Sequence, residues 1–381
     1  MRECTGTPVW PCAMVGAASC LAGFSDVGVV IHGSSGCYYF ADYAIPDPLY
    51  CTFLMEDEVV FGSEERLIEI VEGISQIYPN IAVVNTCVPS LMGEDIRDFL
   101  SGYNTFVIDA PGYTGQMEAG WHMALRTLDA SVDAEREGVN IDGICSVDRF
   151  APGNLMEIKR LLGMAGISVA GIFSADTLES VRHASPVTVE ACPALSSDIG
   201  TSAGSLLGID NLRDTFGQLG NLFETADTDP VLDEIDRTEE VIIKECDRFL
   251  RRFDPPSAAV FSISSYAELV SELLRDYLDS EVVSIGCRDL PRSSAPAGPG
   301  AGVRMGHTTD LRRIREMIRS ETPDIIFGSS FENTLSPETP FVSLTYPLKT
   351  TAMLHHRPVA GTEGVLSIIE GVLNSLMAVK K

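Results

Sequence analysis

Two signatures of nucleotide and hydrolytic chemistry are missing from these 381 residues. There is no GxxxxGK(S/T) loop, so the chain has no P-loop of its own and any ATP chemistry must belong to a partner. No HExxH helix occurs, which removes the commonest zinc-protease arrangement. Long apolar runs are missing too: none reaches the roughly 18 uninterrupted residues that a membrane-spanning helix requires. Pro8, Pro11 and two cysteines interrupt the N-terminus where a secretory signal needs a clean apolar core. A soluble, cytoplasmic protein without a membrane partner is the expectation. Positive charge is scarce, with 27 Lys and Arg against 54 Asp and Glu, a formal net charge of −27. That balance repels a polyanion and forfeits counterion release, so nucleic acid is not an expected partner; the acidity itself suits a solvated surface.

What is present is a repeating alternation of short β-branched runs, turns and amphipathic helices, the order of a parallel α/β fold. Ile81 to Asn85 and Thr105 to Asp109 have the length and apolarity of buried strands. A second set starts with a strand over Val139 to Val147, then a helix over Asn154 to Leu162 and strands over Ile167 to Ile172 and Pro186 to Ala191. It closes with a long amphipathic helix over Pro230 to Phe253. Asp254-Pro255-Pro256 then breaks the chain. The third set has strands over Ala258 to Ile263, Glu281 to Ile285, Asp324 to Phe327 and Phe341 to Thr345. Its helices fall over Tyr266 to Leu278, Thr309 to Arg319 and Gly364 to Met377, with a loop of flexible composition over Pro291 to Gly302. The expected architecture is three doubly wound, Rossmann-like α/β domains with parallel sheets, over residues 1–138, 139–253 and 254–381, with ligands gathered at the strand C-termini.

Ten cysteines in a cytosolic chain point to thiol or metal chemistry rather than to disulfides. Cys12, Cys20, Cys37, Cys51 and Cys87 crowd the first quarter, three of them in loops punctuated by Gly or Pro. Cys37 follows His32-Gly33-Ser34-Ser35-Gly36, and Cys87 follows the strand IAVVN. Soft thiolates from separated loops can hold iron or zinc. Their spacing alone does not demand it, since no CxxC pair or ferredoxin run occurs and free cysteines are commonly buried small hydrophobes. His355-His356-Arg357-Pro358 is a cationic cluster near a strand end, suited to binding carboxylates or passing protons, or to an ordinary solvated loop.

Four segments in order, PCAMVGA, VVIHGSSGCYYF, EDEVVFGSEERLIEIVEGI and VVNTCVPSLMGEDI, resemble component 1 of nitrogenase and its relatives. VDRFAPGNLMEIKRLLGMAGISV, DIIFGSSFENT and HHRPVAGTEGVLSIIEGVLN extend the resemblance over most of the chain. It implies that Cys12, Cys37 and Cys87 ligate a [4Fe-4S] cluster at a subunit interface. The fourth ligand would be Cys20, Cys51, Asp26 or a group from a second copy of the chain. It also implies a homodimer, and a homodimeric P-loop iron protein that uses ATP and Mg and passes electrons in. Cys192 falls where the family's large cofactor has its cysteine ligand, but Ala360 stands where its histidine ligand would be, so dinitrogen reduction is not expected. The resemblance then points to the tetrapyrrole reductases of the superfamily. Foremost are the nickel-sirohydrochlorin a,c-diamide reductive cyclases of coenzyme F430 biosynthesis in methanogens, with protochlorophyllide or chlorophyllide reductases and non-catalytic cofactor scaffolds as alternatives. Under it, His355, His356 and Arg357 are the candidate catalytic groups, and Arg304 and His307 the candidate substrate contacts, with Arg288 and Arg292 nearby.

Overall fold

The computed structural model describes residues 9–289 and 304–379. Within them the chain forms three parallel sheets, each wrapped by helices. The first has the order β2-β1-β3-β4, from β1 (Val27–His32), β2 (Leu49–Cys51), β3 (Asn80–Asn85) and β4 (Thr105–Asp109). The second has the order β6-β5-β7-β8, from β5 (Val139–Asp142), β6 (Val169–Ile172), β7 (Val187–Glu190) and β8 (Thr201–Ser205). The third has the order β11-β10-β9-β12-β13, from β9 (Ser257–Ser262), β10 (Glu281–Cys287), β11 (Arg304–His307), β12 (Ile325–Gly328) and β13 (Phe341–Ser343). Every residue of β1 and β3 is buried. Covering both faces of a parallel sheet favours such continuous Val and Ile runs.

Most expected elements are present with ends moved by a few residues. The long helix runs Asp229–Leu250 and buries Val231, Ile235, Thr238, Ile242, Cys246 and Phe249, a stripe at helical spacing. Asp254-Pro255-Pro256 falls between it and β9. The strand expected over Val139 to Val147 stops at Asp142, whose carboxylate turns back to accept from the Gly143 amide at 2.6 Å. Four strands were not foreseen: β1, the short β2, β8 and β11. The Pro291 to Gly302 loop lies outside the described residues, as does Arg292.

Among the described residues one helix, Gly361–Val379, is long and apolar enough to cross a membrane by length and composition. Here it is a packing element. Val365, Ile368, Ile369, Val372 and Leu376 are buried, and the helix packs against β13 and the helices Ala151–Met164 and Asp229–Leu250.

Candidate functional site

The register of the first sheet sets the site. His32 of β1 pairs beside Asn85 of β3, which pairs beside Asp109 of β4, so three strands end together. The chain leaving each of them carries a piece of the site: Cys37 after β1, Cys87 after β3 and Gly112 after β4. Cys12 comes from outside the sheet. It precedes the helix Ala13–Ala22 and bridges to Gln116, with Ala13 N donating to Gly115 O and Met117 N to Pro11 O, both at 3.0 Å. That helix crosses the helix Met117–Leu125 at backbone contact. A Cβ on Gly16 would sit 1.7 Å from the Met117 carbonyl oxygen, and one on Gly120 1.7 Å from that of Ala13.

Gly112 is where the sulfurs of Cys12 and Cys87 meet. A Cβ there would lie 3.3 Å from Cys12 Sγ and 3.4 Å from Cys87 Sγ, and the Gly112 amide donates to Cys87 Sγ at 3.1 Å. Cys37, the third residue of the helix Ser35–Ala44, is within electrostatic reach of Cys12. Each of the three thus sits at or near a helix start rather than in a loop, where amide dipoles favour a thiolate. Burial pushes the Cys12 thiol up; the amides of Val15 and Met14 pull it back, and Cys37 and Cys87 raise it further. Bound metal would relieve that repulsion.

Of the nine cysteines among the described residues, Cys12, Cys37 and Cys87 are half-buried and the other six buried. Among those residues no three His, Cys, Asp or Glu side chains come together closely enough for one ion. Cys12 and Cys87 share a space kept open by a residue without a side chain, and Cys37 is in electrostatic reach of Cys12. This donor set fits a multi-iron cluster with thiolate ligands better than a single zinc.

The fourth-ligand candidates divide. Cys20 does not join the group: it is fully buried, its sulfur 3.5 Å from Ser174 Oγ and its charge neighbours Cys145 and Asp142. Asp26 is also elsewhere, accepting from Leu178 N at 2.9 Å and from Asn80 Nδ2 at 3.2 Å. Cys51 lies nearer. Its sulfur is 3.7 Å from the Gly33 carbonyl, and its thiol is pushed up to about 11, by burial first and with Cys37 adding to it.

Around the cysteines the surface is apolar and uncovered. Tyr39, Phe40 and Tyr43 project from the helix bearing Cys37, Leu91 from the helix starting at Cys87, and Tyr113 adjoins Gly112. Beside them Phe53, Met55 and Phe61, the last 86% exposed, line a groove of about 980 Å³ that also holds Asp57, Glu58, Glu64, Glu65, Glu69 and Glu94. Exposed apolar surface of this extent marks a contact face.

A second constellation, of which the sequence singled out only Cys192, lies where the other two sheets end. Residues following β5 (Gly143, Cys145, Asp148), β7 (Cys192), β9 (Ile263) and β13 (Thr345) join Trp10 and Tyr266 around a cavity of about 20 Å³, room for one water-sized molecule. Asp148 accepts from Tyr266 Oη at 2.6 Å and from Phe150 N at 2.9 Å. Asn154 donates to Tyr266 Oη at 2.9 Å and accepts from the amides of Val359 and Ala360 at 2.7 and 3.0 Å. Burial pushes the Asp148 carboxyl up to about 6, against the pull of its two donors. Cys192, also buried, is held well above the usual thiol range. Aspartate and tyrosine 118 positions apart carry no sequence signal for such a pairing.

His355, His356 and Arg357 are exposed and line an open groove of about 930 Å³ with Met156, Glu363 and Glu370. Arg304 and His307 are not brought to them: both belong to β11, at the edge of the third sheet opposite β13, and the Arg304 side chain lies outside the described residues. Arg288 is no surface cation. It is fully buried, ion-paired to Glu332 and donating to the Thr308 carbonyl at 3.0 Å.

Comparisons with known proteins follow this geometry. Residues 12–377 match the sequence model of the nitrogenase component 1 type oxidoreductases. The chain is 22% identical to the nitrogenase molybdenum-iron protein beta chain of Methanococcus maripaludis, over 99% of this chain and 95% of that one. It is equally 22% identical to the corresponding beta chain of Azotobacter vinelandii, over 98% and 84%. Among solved structures, nitrogenase Cp1 at pH 6.5 superposes with a TM-score of 0.80 at 16% identity, over 99% of this chain and 94% of that one.

Proposed function

Because the chain belongs to the nitrogenase component 1 type oxidoreductases, whose members bind iron–sulfur clusters and work with an iron protein, we propose that it is the cytoplasmic catalytic subunit of a reductase acting on a tetrapyrrole. The meeting of Cys12 and Cys87 at Gly112, with Cys37 in electrostatic reach of Cys12, carries this reading. These three hold a [4Fe-4S] cluster, which when bound supplies a low-potential one-electron store. The remaining ligand comes from Cys51 or from a second copy of the chain. The uncovered ring of Tyr39, Phe40, Tyr43, Leu91 and Tyr113 is the face on which that copy sits, so the working unit is a homodimer. A homodimeric P-loop iron protein docks on the acidic groove around Phe61 and hydrolyses ATP with Mg; this chain has no loop for either.

The substrate is a nickel tetrapyrrole, with nickel-sirohydrochlorin a,c-diamide favoured and ring reduction with lactam closure as the reaction. Its site is the open groove beside His355, His356 and Arg357, because the enclosed cavity between the domains has no room for a macrocycle. The loop cations suit ring carboxylates, and Glu363 and Glu370 on the facing helix suit ring amides. Gly153 packs against the Arg357 backbone, and Asn154 binds the amides of Val359 and Ala360. Substrate binding is thereby coupled mechanically to Tyr266 and Asp148, the buried carboxyl poised to give up a proton near neutral pH.

Anaerobic purification is the first test: roughly four irons per cluster site and a brown chromophore are expected. Adding the iron protein, ATP and the nickel substrate should then reduce the ring. Cys37→Ala should lose both iron and turnover. A scaffold that carries a cofactor without chemistry would hold iron and show no ring reduction, and unchanged iron in the Cys37→Ala protein would defeat the cluster assignment.

A further inference from the structure

A buried row of hydrogen-bonding side chains runs from the acidic groove to the Cys37 loop. Glu94 lines the groove, its side chain 11% exposed. Its Oε1 accepts from the Ser63 amide at 2.7 Å, and its Oε2 is hydrogen-bonded to Ser63 Oγ. Ser63 Oγ lies 3.1 Å from His32 Nε2, and His32 Nδ1 lies 3.2 Å from Thr52 Oγ1. Thr52 Oγ1 in turn accepts from the Gly33 amide at 3.0 Å and reaches the Gly33 carbonyl at 3.4 Å. His32, Thr52 and Ser63 are completely buried. The packing of a sheet end does not require three polar groups, which cost stability unless each is partnered.

We propose that Glu94 and Ser63 form a proton path from the docking groove to His32, which Thr52 ties to the Gly33 start of the Cys37 segment, and that along it the protein takes up one proton when the cysteine-held cluster accepts one electron. This rests on the cluster reading above. The electron comes from the iron protein and the proton from solvent at Glu94. Protonated Glu94 gives its proton to Ser63 Oγ while the Ser63 hydroxyl proton passes to His32 Nε2. Afterwards Glu94 is a carboxylate, Ser63 donates to it, and His32 is an imidazolium that donates from Nε2 to Ser63 and from Nδ1 to Thr52. Thr52 Oγ1 accepts from Nδ1 before and after and keeps its own proton on the Gly33 carbonyl, so the new imidazolium charge reaches the start of the segment that carries Cys37 through bonds already in place. One charge enters and one is neutralised.

The charged and titratable groups facing His32 are few. Glu94 comes from the turn after the Cys87 helix, and Cys51 adjoins Thr52 at the end of β2. Arg66 donates from Nε to the Thr52 carbonyl at 3.0 Å. Thr86, next to Cys87, donates to the His32 carbonyl at 2.9 Å. Burial holds His32 down at about 4 against the pull of Glu94, so the ring is neutral in the metal-free chain at neutral pH. An added electron nearby raises its affinity for a proton. The coupling therefore shows on the acid side: the cluster potential climbs as the pH falls.

The test uses the full chain reconstituted anaerobically with iron and sulfide, its cluster potential titrated between about pH 5.5 and pH 8. The wild type should show a potential that rises as pH falls, and His32→Gln, Ser63→Ala and Glu94→Gln should show flat profiles at unchanged iron content. A flat wild-type profile, or a slope surviving in His32→Gln and Ser63→Ala, overturns the path while leaving the cluster standing. A chain that takes up no iron overturns both. Should the variants misfold, nitrogen NMR of the metal-free wild type decides: a neutral His32 with its proton on Nδ1 is expected, and one with it on Nε2 is the contrary result.

Discussion

Two buried titratable residues, Asp148 and His32, tie function to stability with opposite signs. Asp148 keeps its proton up to about pH 6, against an ordinary value near 4. Between those limits the folded chain binds more protons than the unfolded one, so stability falls as pH rises, by on the order of 2–3 kcal/mol in all. Asp148→Asn removes the charge and keeps an acceptor for Tyr266. Its melting temperature should exceed that of the wild type at pH 7 and match it at about pH 4, while ring reduction drops. A variant no more stable at neutral pH would mean that Asp148 carries no buried charge. His32 runs the other way: its value is lowered to about 4, so stability is lost as pH falls from about 6.5 towards 4.

At the scale of elements, the crossing of the helices Ala13–Ala22 and Met117–Leu125 fixes where Cys12 points. With Gly16 and Gly120 each facing a carbonyl oxygen, no side chain fits between the two backbones. Gly120→Val should force the helices apart, costing about 1–3 kcal/mol as overpacking commonly does. Because Gln116 and Cys12 move with them, iron content should fall as well. A variant that melts lower yet holds full iron would show that Cys12 is positioned by something else. The helix starting at Cys37 has a separate duty, presenting Tyr39, Phe40 and Tyr43 outward.

For the whole molecule, the uncovered apolar ring beside the cysteines is hard to reconcile with a lone chain. Surface of this kind is retained where a partner covers it. Sedimentation of the anaerobic protein should give a dimer, and Tyr39→Lys combined with Leu91→Lys should give monomers with reduced iron. Monomers from the wild type would leave the ring to another partner.

The alternation of strand and helix, the stripe of the Asp229–Leu250 helix and the break at Asp254-Pro255-Pro256 were legible because they are local: side-chain period and proline geometry act within a few residues. The cysteine trio could be named only by resemblance, since residues 12, 37 and 87 share no spacing that chemistry demands. The meeting of Cys12 and Cys87 at Gly112, with Cys37 near Cys12, depends on β1, β3 and β4 ending in register and on two glycine-faced helices crossing, contacts between segments far apart in the chain. Tertiary structure also sorted the other candidates. It put Arg288 into a buried ion pair, turned Cys20 towards Ser174 and parted His307 from His355 across the third sheet. Periodicity along the chain dictates which face of an element is buried, whereas a site is made by whichever elements that burial brings together.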